Sequence, residues 1–386
     1  MRLFGVRIDR VSQSVTCSFF GLRPRTAVCR PGLGTSLVSG GAFWPPPSPV
    51  LEPPGGADPW PAPVEEPPTL KRLVDDCFPE TNPKRLRRTR AVLIMQDGKI
   101  LAERYAPGFS QETPLTGWSM TKAVIGALVG VLVREGRLSL TDKRLLPEWC
   151  SAGDPRAEIS LEDLLRMRSG LEFAEVYSDP LSDVNQMLWN SRDAGAFAAA
   201  KPLAHPPGTH WTYSSGTTNI VSRIIRRVVG SENYLGFPRR ALFEPLGMRS
   251  ALIEPDASGT FVGSSHLFAT ARDWARFGLL YAQDGVWEGK RILPEGWVKF
   301  SSSPTPQSPE GRYGAHWWLK LMKELGGETE AAKRIPADAF FALGHEDQSV
   351  TVIPSRRLVA VRLGLSIYID AWNHAQFVAD VLDALA

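Results

Sequence analysis

The sequence predicts an α+β protein whose antiparallel sheet is built from strands near both ends of its globular part. Strand patterns occur at about residues 90–105 and again from about 313 to 363, and the residues between 137 and 264 carry mainly helical signals. We therefore expect a sheet flanked by helices, with a mainly helical insertion. The expected domain spans 81–386, with an α/β lobe at about 81–117 and 265–386 and a helical lobe at about 118–264.

Residues 1–80 are predicted to form a disordered N-terminal arm that ends in a proline-rich linker. Pro45 to Pro68 contains 11 prolines in 24 residues, which is typical of an extended, stiff chain. The basic start and the short apolar patch from Val15 to Leu22 differ from a secretory signal, which needs a longer apolar core and a small-residue cleavage site.

A β-hairpin is predicted where the globular sequence begins. Residues 90–95 and 100–105 are apolar-rich runs separated by Asp97-Gly98. Asp-Gly is a preferred two-residue hairpin turn, so the two runs are expected to pair as antiparallel strands.

The next stretch, Gly117-Trp118-Ser119-Met120-Thr121-Lys122, opens an apolar run from Ala123 to Val133. A helix that is apolar on nearly every side is expected to lie inside the protein. Eleven apolar residues are too few to span a bilayer. The sequence therefore predicts a buried helix that ends at Arg134-Glu135-Gly136.

Ser119 and Lys122 are three residues apart, so they share a face of the first helical turn. A serine hydroxyl becomes a strong nucleophile when a neighbouring base accepts its proton, and a lysine in apolar surroundings has a lowered pKa. The pair therefore indicates an acyl-transfer nucleophile. The alternative is a serine N-cap followed by a surface lysine, which the long apolar run disfavours.

The middle of the chain carries several helix signals. Ser160 and Asp163 resemble a capping pair for a short helix from Leu161 to Met167. Residues 171–185 have the composition of a loop. Further helices are predicted at Asn219–Val229 and at Ala241–Met248, the second closed by Gly247.

The C-terminal third turns from helix to strand. Thr270 and Asp273 mark the start of a helix that stops at Asp284-Gly285. The predicted strands that follow are 313–319, 339–343, 350–353 and 358–363, and a closing amphipathic helix is predicted at 373–385.

Composition argues against several classes of partner. The 44 Lys and Arg residues nearly balance the 41 Asp and Glu residues, and the basic excess is confined to residues 1–90. There is no basic patch with interleaved aromatic residues of the kind that binds nucleic acid. The four cysteines form no Cys-x-x-Cys pair and have no histidine at zinc-ligand spacing. We therefore expect no nucleic acid, no metal and no cofactor.

Three motifs in this order resemble those of the serine β-lactamase and D-alanyl-D-alanine peptidase superfamily. They are Ser119-x-x-Lys122, Tyr213-Ser214-Ser215 and His345-Glu346-Asp347. The likeness is strongest to class C-like esterases and 6-aminohexanoate-dimer hydrolases, and it covers about residues 90–385. Residues 159–165, 169–171, 207–209 and 246–248 also look similar to that family. The resemblance implies a β-lactamase/transpeptidase-like fold.

The resemblance also implies roles for the first two motifs. Ser119 would be the acylated nucleophile, and Lys122 would share its proton network. Tyr213 would act as general base in acylation and help to activate water in deacylation. Ser215 would orient the substrate or the lysine. Without the order of the motifs, Tyr213 could equally be a core aromatic residue beside Trp211.

The third motif would complete the site. The backbone N–H groups of Ser119 and Gln348 would form the oxyanion hole. Tyr177 resembles a loop tyrosine that caps the substrate in the aminohexanoate-dimer hydrolases. A histidine at a strand end, such as His345, is more often structural than catalytic.

Asp347 departs from the pattern, because the third motif usually ends in glycine. A carboxylate there would oppose negative charge that develops in the oxyanion hole, or it would select a substrate with a cationic amine. It could also mark a damaged enzyme. With Glu346 beside it, the only cation of the motif is His345, so recognition of the carboxylate of a β-lactam or a D-Ala peptide is disfavoured.

Two functions follow from these observations. The first is a serine hydrolase that acts through an acyl-enzyme on a small ester or amide. The second is a catalytically impaired protein of the same fold that binds or scaffolds, for which Asp347 is the main support. Relatives are often exported, so a periplasmic or envelope location is favoured over a cytoplasmic one.

Overall fold

The computed structural model describes residues 4–19, 22–38, 60–61 and 66–386. The chain divides into two compact units. The sheet unit comprises the described residues of Gly56–Ser139, with Arg239–Ala251 and Leu267–Ala386. The helical unit comprises the described residues of Met1–Gly55, with Leu140–Pro238 and Leu252–His266.

The strands, in chain order, are β1 Phe4–Asp9, β2 Ser14–Phe19, β3 Leu22–Arg30, β4 Gly34–Val38, β5 Ala91–Gln96, β6 Lys99–Tyr105, β7 Leu115–Thr116, β8 Leu252–Ile253, β9 Leu267–Ala269, β10 Val286–Trp287, β11 Lys290–Arg291, β12 Phe340–Gly344, β13 Gln348–Ile353 and β14 Leu358–Leu363.

The α-helices are α1 Pro68–Asp75, α2 Thr121–Arg134, α3 Leu161–Leu165, α4 Asp183–Asn190, α5 Ala194–Ala199, α6 Ser215–Val229, α7 Ser231–Tyr234, α8 Glu244–Leu246, α9 Ala271–Ala282, α10 Trp297–Ser301, α11 Glu330–Lys333 and α12 His374–Ala384. A π-helical turn, Arg239–Phe243, precedes α8. Within the described residues, none of these helices has the length and apolarity needed to cross a lipid bilayer.

The sheet unit is built on five antiparallel strands in the order β12-β13-β14-β5-β6. The first three come from the C-terminal part of the chain, and β5 and β6 come from the start of the globular sequence. The predicted α+β class and the sheet completed by both ends of the globular part are therefore confirmed. Asp97 and Gly98 form the β5–β6 turn with φ values of 52° and 75°, as a tight hairpin requires.

Helix α9 packs on the face of this sheet against β13, β14 and β5. Gly278 of α9 allows the close approach, because a Cβ there would lie 2.6 Å from a methyl group of Val359. Thr270 caps the helix by accepting a hydrogen bond from the Asp273 N–H. The predicted helix start at Thr270 is thus confirmed.

Helix α2, which follows Ser119, is buried on every side. All residues from Thr121 to Leu132 are buried, as expected for an apolar run with no polar face. The helix belongs to the sheet unit, whereas the sequence placed 118–264 in a helical lobe. Residues 239–251 also belong to the sheet unit, so the predicted lobe boundaries are wrong at both places.

The N-terminal prediction is wrong for the part that the structure describes. Residues 4–38 form a four-stranded antiparallel sheet, β1 to β4, and Pro68–Asp75 is helical. The sheet is stabilised by residues far away in the chain. Glu254 accepts hydrogen bonds from the Thr35 N–H and hydroxyl, each at 2.7 Å, and Ser36 donates to the Pro255 carbonyl. The predicted proline-rich linker lies mostly outside the described residues.

The predicted strand at 313–319 is also wrong. Only isolated bridges form there, from Tyr313 to Trp318 and from Trp318 to Phe341. His316 has a φ of 61°, and the Gly314 N–H bonds the Trp317 carbonyl across a tight turn. The aromatic residues that suggested a strand pack in the core instead.

Candidate active site

Ser119 and Lys122 meet at the start of α2. A 3₁₀ turn, Trp118–Met120, leads into the helix and places the two side chains on one face. The Lys122 ammonium donates a 2.8 Å hydrogen bond to Ser119 Oγ. Ser119 is half-buried, whereas Lys122 is 1% exposed. The structure therefore joins a reachable hydroxyl to a lysine that is shielded from water, and a surface lysine is excluded.

Thr121 fixes the nucleophile turn to the neighbouring strand. Its hydroxyl donates to the Trp118 carbonyl at 2.6 Å and accepts from the Leu267 N–H at 3.2 Å. The Gly117 N–H donates to the Leu267 carbonyl at 2.8 Å. Because both sides of Ser119 are tied to β9, the position of its hydroxyl is set by the backbone.

The residue before the nucleophile is strained. Trp118 has a φ of 47°, in the left-handed region that side chains other than glycine rarely adopt. Strain of this kind persists only where surrounding contacts hold it, and it is often found at functional sites. The bond from Thr121 and the packing of the Trp118 ring supply such contacts.

His316 lies against α2 beside the lysine. Burial, together with the positive charge of Lys122, lowers the pKa of His316 to about 3. The imidazole is therefore neutral at pH 7. A neutral neighbour avoids charge repulsion with Lys122 and preserves the apolar surroundings of the lysine.

The third motif lies beside the nucleophile turn. The His345 ring packs edge-on against Trp118 with centroids 5.3 Å apart, and Trp118 Nε1 donates to a Glu346 carboxylate oxygen at 3.2 Å. Gly344 allows this approach, because a Cβ at that position would overlap with the Gly117 carbonyl oxygen. The first and third motifs are thus brought together as predicted.

His345 itself is exposed to solvent on one side. Partial burial of its ring lowers the pKa of His345, and the nearby Glu346 opposes that shift. Burial therefore favours the neutral imidazole. This argues against His345 as the positive charge that would bind a substrate carboxylate.

Asp347 is buried in the turn between β12 and β13. Its side chain is 7% exposed. Burial raises the pKa of the Asp347 carboxyl to about 6, against the lowering effect of Arg362. The carboxylate is thus placed inside the sheet unit, near a buried guanidinium.

Gln348 begins β13 directly after the turn and is buried. Its side chain is fixed by three hydrogen bonds. The amide donates to the carbonyls of Gly364 at 2.7 Å and Glu346 at 3.1 Å, and its oxygen accepts from the Gly364 N–H at 2.9 Å. The backbone of the predicted oxyanion residue therefore has little freedom to move.

The second motif belongs to the helical unit. Tyr213 is half-buried just before α6, and Ser214 caps that helix by accepting from the Thr217 N–H. Ser215 donates from its hydroxyl to Glu175 at 2.5 Å and from its backbone N–H to the same carboxylate at 2.9 Å. The hydroxyl proton of Ser215 is therefore committed to Glu175.

Tyr177 lies close to this pair. Burial raises the pKa of Tyr177, and the negative charge of Glu175 raises it further. The phenol is therefore protonated at neutral pH. As a result, Tyr177 is a hydrogen-bond donor and not a general base.

Sequence reasoning missed three of the residues that hold the site. Thr121, Glu175 and Arg362 act through contacts with partners that are distant in the chain. Thr121 stands inside the first motif, so its position was a usable signal. Glu175 lies 40 residues before Ser215, and no local pattern connects the two.

The described residues contain no group of three or more His, Cys, Asp or Glu side chains arranged to hold a metal ion. The Ser119 hydroxyl, the Lys122 ammonium and the third motif all belong to the sheet unit. Such a set is suited to acyl transfer through a serine ester.

Comparison with known proteins agrees with this arrangement. The sequence model of the Beta-lactamase family matches residues 74–364. The 6-aminohexanoate-dimer hydrolase of Paenarthrobacter ureafaciens is 29% identical over 253 residues, which cover 60% of this chain and 64% of the relative. The chain thus matches less than two thirds of that relative's length.

Solved structures share the fold. A penicillin-binding protein homolog from Caulobacter crescentus superposes with a TM-score of 0.61 at 18% identity, covering 82% of this chain and 96% of that one. EstCE1, a hydrolase with promiscuous acyltransferase activity, gives a TM-score of 0.62 at 14% identity, covering 82% and 97%. With three quarters of its residues matched by the family's sequence model, the chain belongs to the Beta-lactamase family.

Proposed function

We propose that this protein is a serine hydrolase that acts through an acyl-enzyme at Ser119 on a small ester or amide. The observation that carries the proposal is the 2.8 Å hydrogen bond from the buried Lys122 ammonium to the half-buried Ser119 hydroxyl. Because Lys122 is 1% exposed, it is not a solvated surface charge. A lysine held at hydrogen-bond distance from the serine and out of water is suited to exchange protons with it.

The reaction proceeds in two steps. Ser119 Oγ attacks the carbonyl carbon, its proton passes into the Lys122 network, and the alcohol or amine leaves with a proton. A water molecule then attacks the ester formed on Ser119, which releases the acid and restores the hydroxyl. In this proposal Tyr213 is the general base that the family resemblance implies, and Ser215 orients the substrate.

The negative charge that develops on the carbonyl oxygen is stabilised by the backbone N–H groups of Ser119 and Gln348. Two features support this assignment. Thr121 fixes the turn that carries Ser119, and the side-chain bonds of Gln348 fix the start of β13. Rigid donors stabilise the transition state without having to reorganise.

The names of similar proteins support the proposed substrate class. A relative of similar sequence is named 6-aminohexanoate-dimer hydrolase. EstCE1 is described as a hydrolase with acyltransferase activity. We propose small linear amides and esters as substrates, in preference to β-lactams.

Hydrolysis of p-nitrophenyl acetate and butyrate tests the proposal. Ser119→Ala is expected to reduce kcat/KM by at least ~100-fold, because it removes the nucleophile. Lys122→Met is expected to reduce it by ~100-fold or more, because proton transfer is lost while the apolar stem is kept. The assay reports the release of p-nitrophenolate.

Ser302→Ala provides a matched control. This serine lies in the same unit and donates its hydroxyl to the Val298 carbonyl. Its removal should leave the turnover unchanged. If Ser119→Ala keeps wild-type turnover, the nucleophile assignment is wrong. If the wild-type protein hydrolyses neither esters nor amides, the result would support the alternative of a catalytically impaired protein that binds or scaffolds.

A further inference from the structure

Arg362 is a charged residue in the middle of a buried strand. All six residues of β14 are buried, and the other five are apolar. Arg362 is 0% exposed. Burying a guanidinium costs several kcal/mol unless its donors are satisfied and its charge is compensated. The contacts of Arg362 therefore show why a charge stands at this position.

One end of the guanidinium is bonded to the third motif. Arg362 Nη1 donates to the Asp347 carbonyl at 2.9 Å and to the Glu346 carbonyl at 3.2 Å. Both acceptors belong to the turn between β12 and β13. The turn is therefore joined to β14 through its backbone.

The other end is bonded to the segment that precedes β5. Arg362 Nη2 donates to the Arg87 carbonyl at 2.6 Å, to the Thr89 hydroxyl at 3.2 Å and to the Ser366 hydroxyl at 3.0 Å. The indole of Trp372 covers the guanidinium carbon at 4.9 Å from its ring centroid. These contacts make Arg362 a fixed support.

The turn needs such a support. Glu346 and Asp347 both have a φ of 62°, which is a conformation that glycine adopts at low cost and other residues adopt at a cost of about 1 kcal/mol or more each. Two consecutive left-handed residues persist only when their surroundings hold them. The carbonyl groups of these same two residues are the ones that Arg362 binds.

The Asp347 side chain belongs to the same turn. It is buried, and one of its oxygens, Oδ2, makes no hydrogen bond within the described residues. The positive charge of Arg362 lowers the pKa of this carboxyl, although burial raises it more. In turn, the carboxylate favours the charged form of Arg362.

We propose that Arg362 is a positioning residue for the hydrolase reaction, which holds the His345–Asp347 turn so that the Gln348 N–H points at the developing oxyanion. The inference rests on the function proposed for Ser119. It gives the third motif a reason to tolerate an aspartate where the family usually has glycine.

Arg362→Lys tests the proposal, because lysine keeps the charge but cannot bond two carbonyls and a second segment at once. The expected result is a fall in kcat for p-nitrophenyl butyrate of about 30-fold, with KM changed less than about threefold, as expected when a transition-state interaction is lost. Thermal unfolding of each variant is measured beside the kinetics.

Arg272→Lys is the matched control. Arg272 is 2% exposed in the same unit and bonds Glu103 at 2.5 and 2.9 Å, away from the third motif. The control should lose stability but keep kcat. An equal fall in kcat in both variants would show that Arg362 is merely structural and would overturn the inference.

A double-mutant cycle with Asp347→Gly keeps the test decisive if Arg362→Lys folds poorly. Glycine adopts φ of 62° without strain, so the turn should depend less on its support. Arg362→Lys is then expected to cost at least about fivefold less in kcat in the Asp347→Gly background. Strictly additive effects would contradict the proposal. Lack of Ser119-dependent turnover in wild type would instead overturn the proposed function, and this inference with it.

Discussion

At the scale of single residues, two charged side chains of the candidate site are shielded from water by burial. Lys122 and Arg362 are both almost fully buried, one beside the nucleophile and one behind the third motif. Lys122 is bonded to the Ser119 hydroxyl oxygen, and Arg362 is bonded to the Asp347 carbonyl oxygen. Burial makes both charges expensive, which is a cost that proteins commonly accept at functional sites.

Asp347 is expected to make the stability of the protein depend on pH. Burial raises its pKa to about 6 from an ordinary value of 3.8, while Arg362 and Ser366 oppose the shift and Asp370 and Glu346 add to it. The native state therefore binds more protons than the unfolded state between these values. This contribution to stability is complete below pH 4 and is lost as the pH rises through 6.

Asp347→Asn removes that titration. Relative to wild type, the variant should become more stable as the pH rises from 4 to 7, by up to ~3 kcal/mol for a shift of two pKa units. Thermal unfolding at a series of pH values measures this effect. A stability difference that is constant with pH would show that Asp347 has an ordinary pKa.

At the scale of elements, the two backbone segments of the site meet at Gly344 and Gly117. Gly344 has a φ of −126°, so alanine is tolerated by the local backbone. An added Cβ would nevertheless overlap with the Gly117 carbonyl oxygen. The contact between β12 and the nucleophile turn thus requires glycine at position 344, since any larger residue would overlap with the turn.

Gly344→Ala is expected to push β12 away from the Ser119 turn. We predict a loss of ~10-fold or more in kcat, since displacement of the oxyanion donors weakens transition-state binding. Ester hydrolysis and thermal unfolding measure the two effects. Gly126→Ala in α2 is the control, because its Cβ would lie 3.4 Å from His316 in ordinary contact. If both variants keep wild-type kcat, the close approach has no role in positioning.

Elements with strong local signals were predictable from the sequence. The Asp97-Gly98 hairpin, the capping box at Ser160 and the helix start at Thr270 are determined by a few adjacent residues. The first motif was predictable for the same reason, since Ser119 and Lys122 are neighbours on one turn.

Elements that depend on distant contacts were not predictable in this way. The sheet of residues 4–38 is held by Glu254 and Pro255, more than 200 residues away. The role of Arg362 depends on carbonyl groups 15 and 16 residues earlier and on Arg87, 275 residues away. Composition and periodicity carry no information on such contacts, so Arg362 was not among the residues predicted from the sequence.

At the scale of the whole molecule, the family match covers 74–364, and the sheet of residues 4–38 lies before it. The residues of the first and third motifs belong to the sheet unit, and those of the second motif belong to the helical unit. The proposed function is acyl transfer at Ser119.

Covalent labelling of Ser119 tests that claim most directly. Wild-type protein, Ser119→Ala and Ser302→Ala are treated with a fluorophosphonate, and adducts are counted by intact mass and located by peptide mapping. We expect one adduct per chain on Ser119 in wild type and in Ser302→Ala, and none in Ser119→Ala. An unlabelled wild type, or an adduct on another residue, would contradict the assignment of Ser119 as the nucleophile.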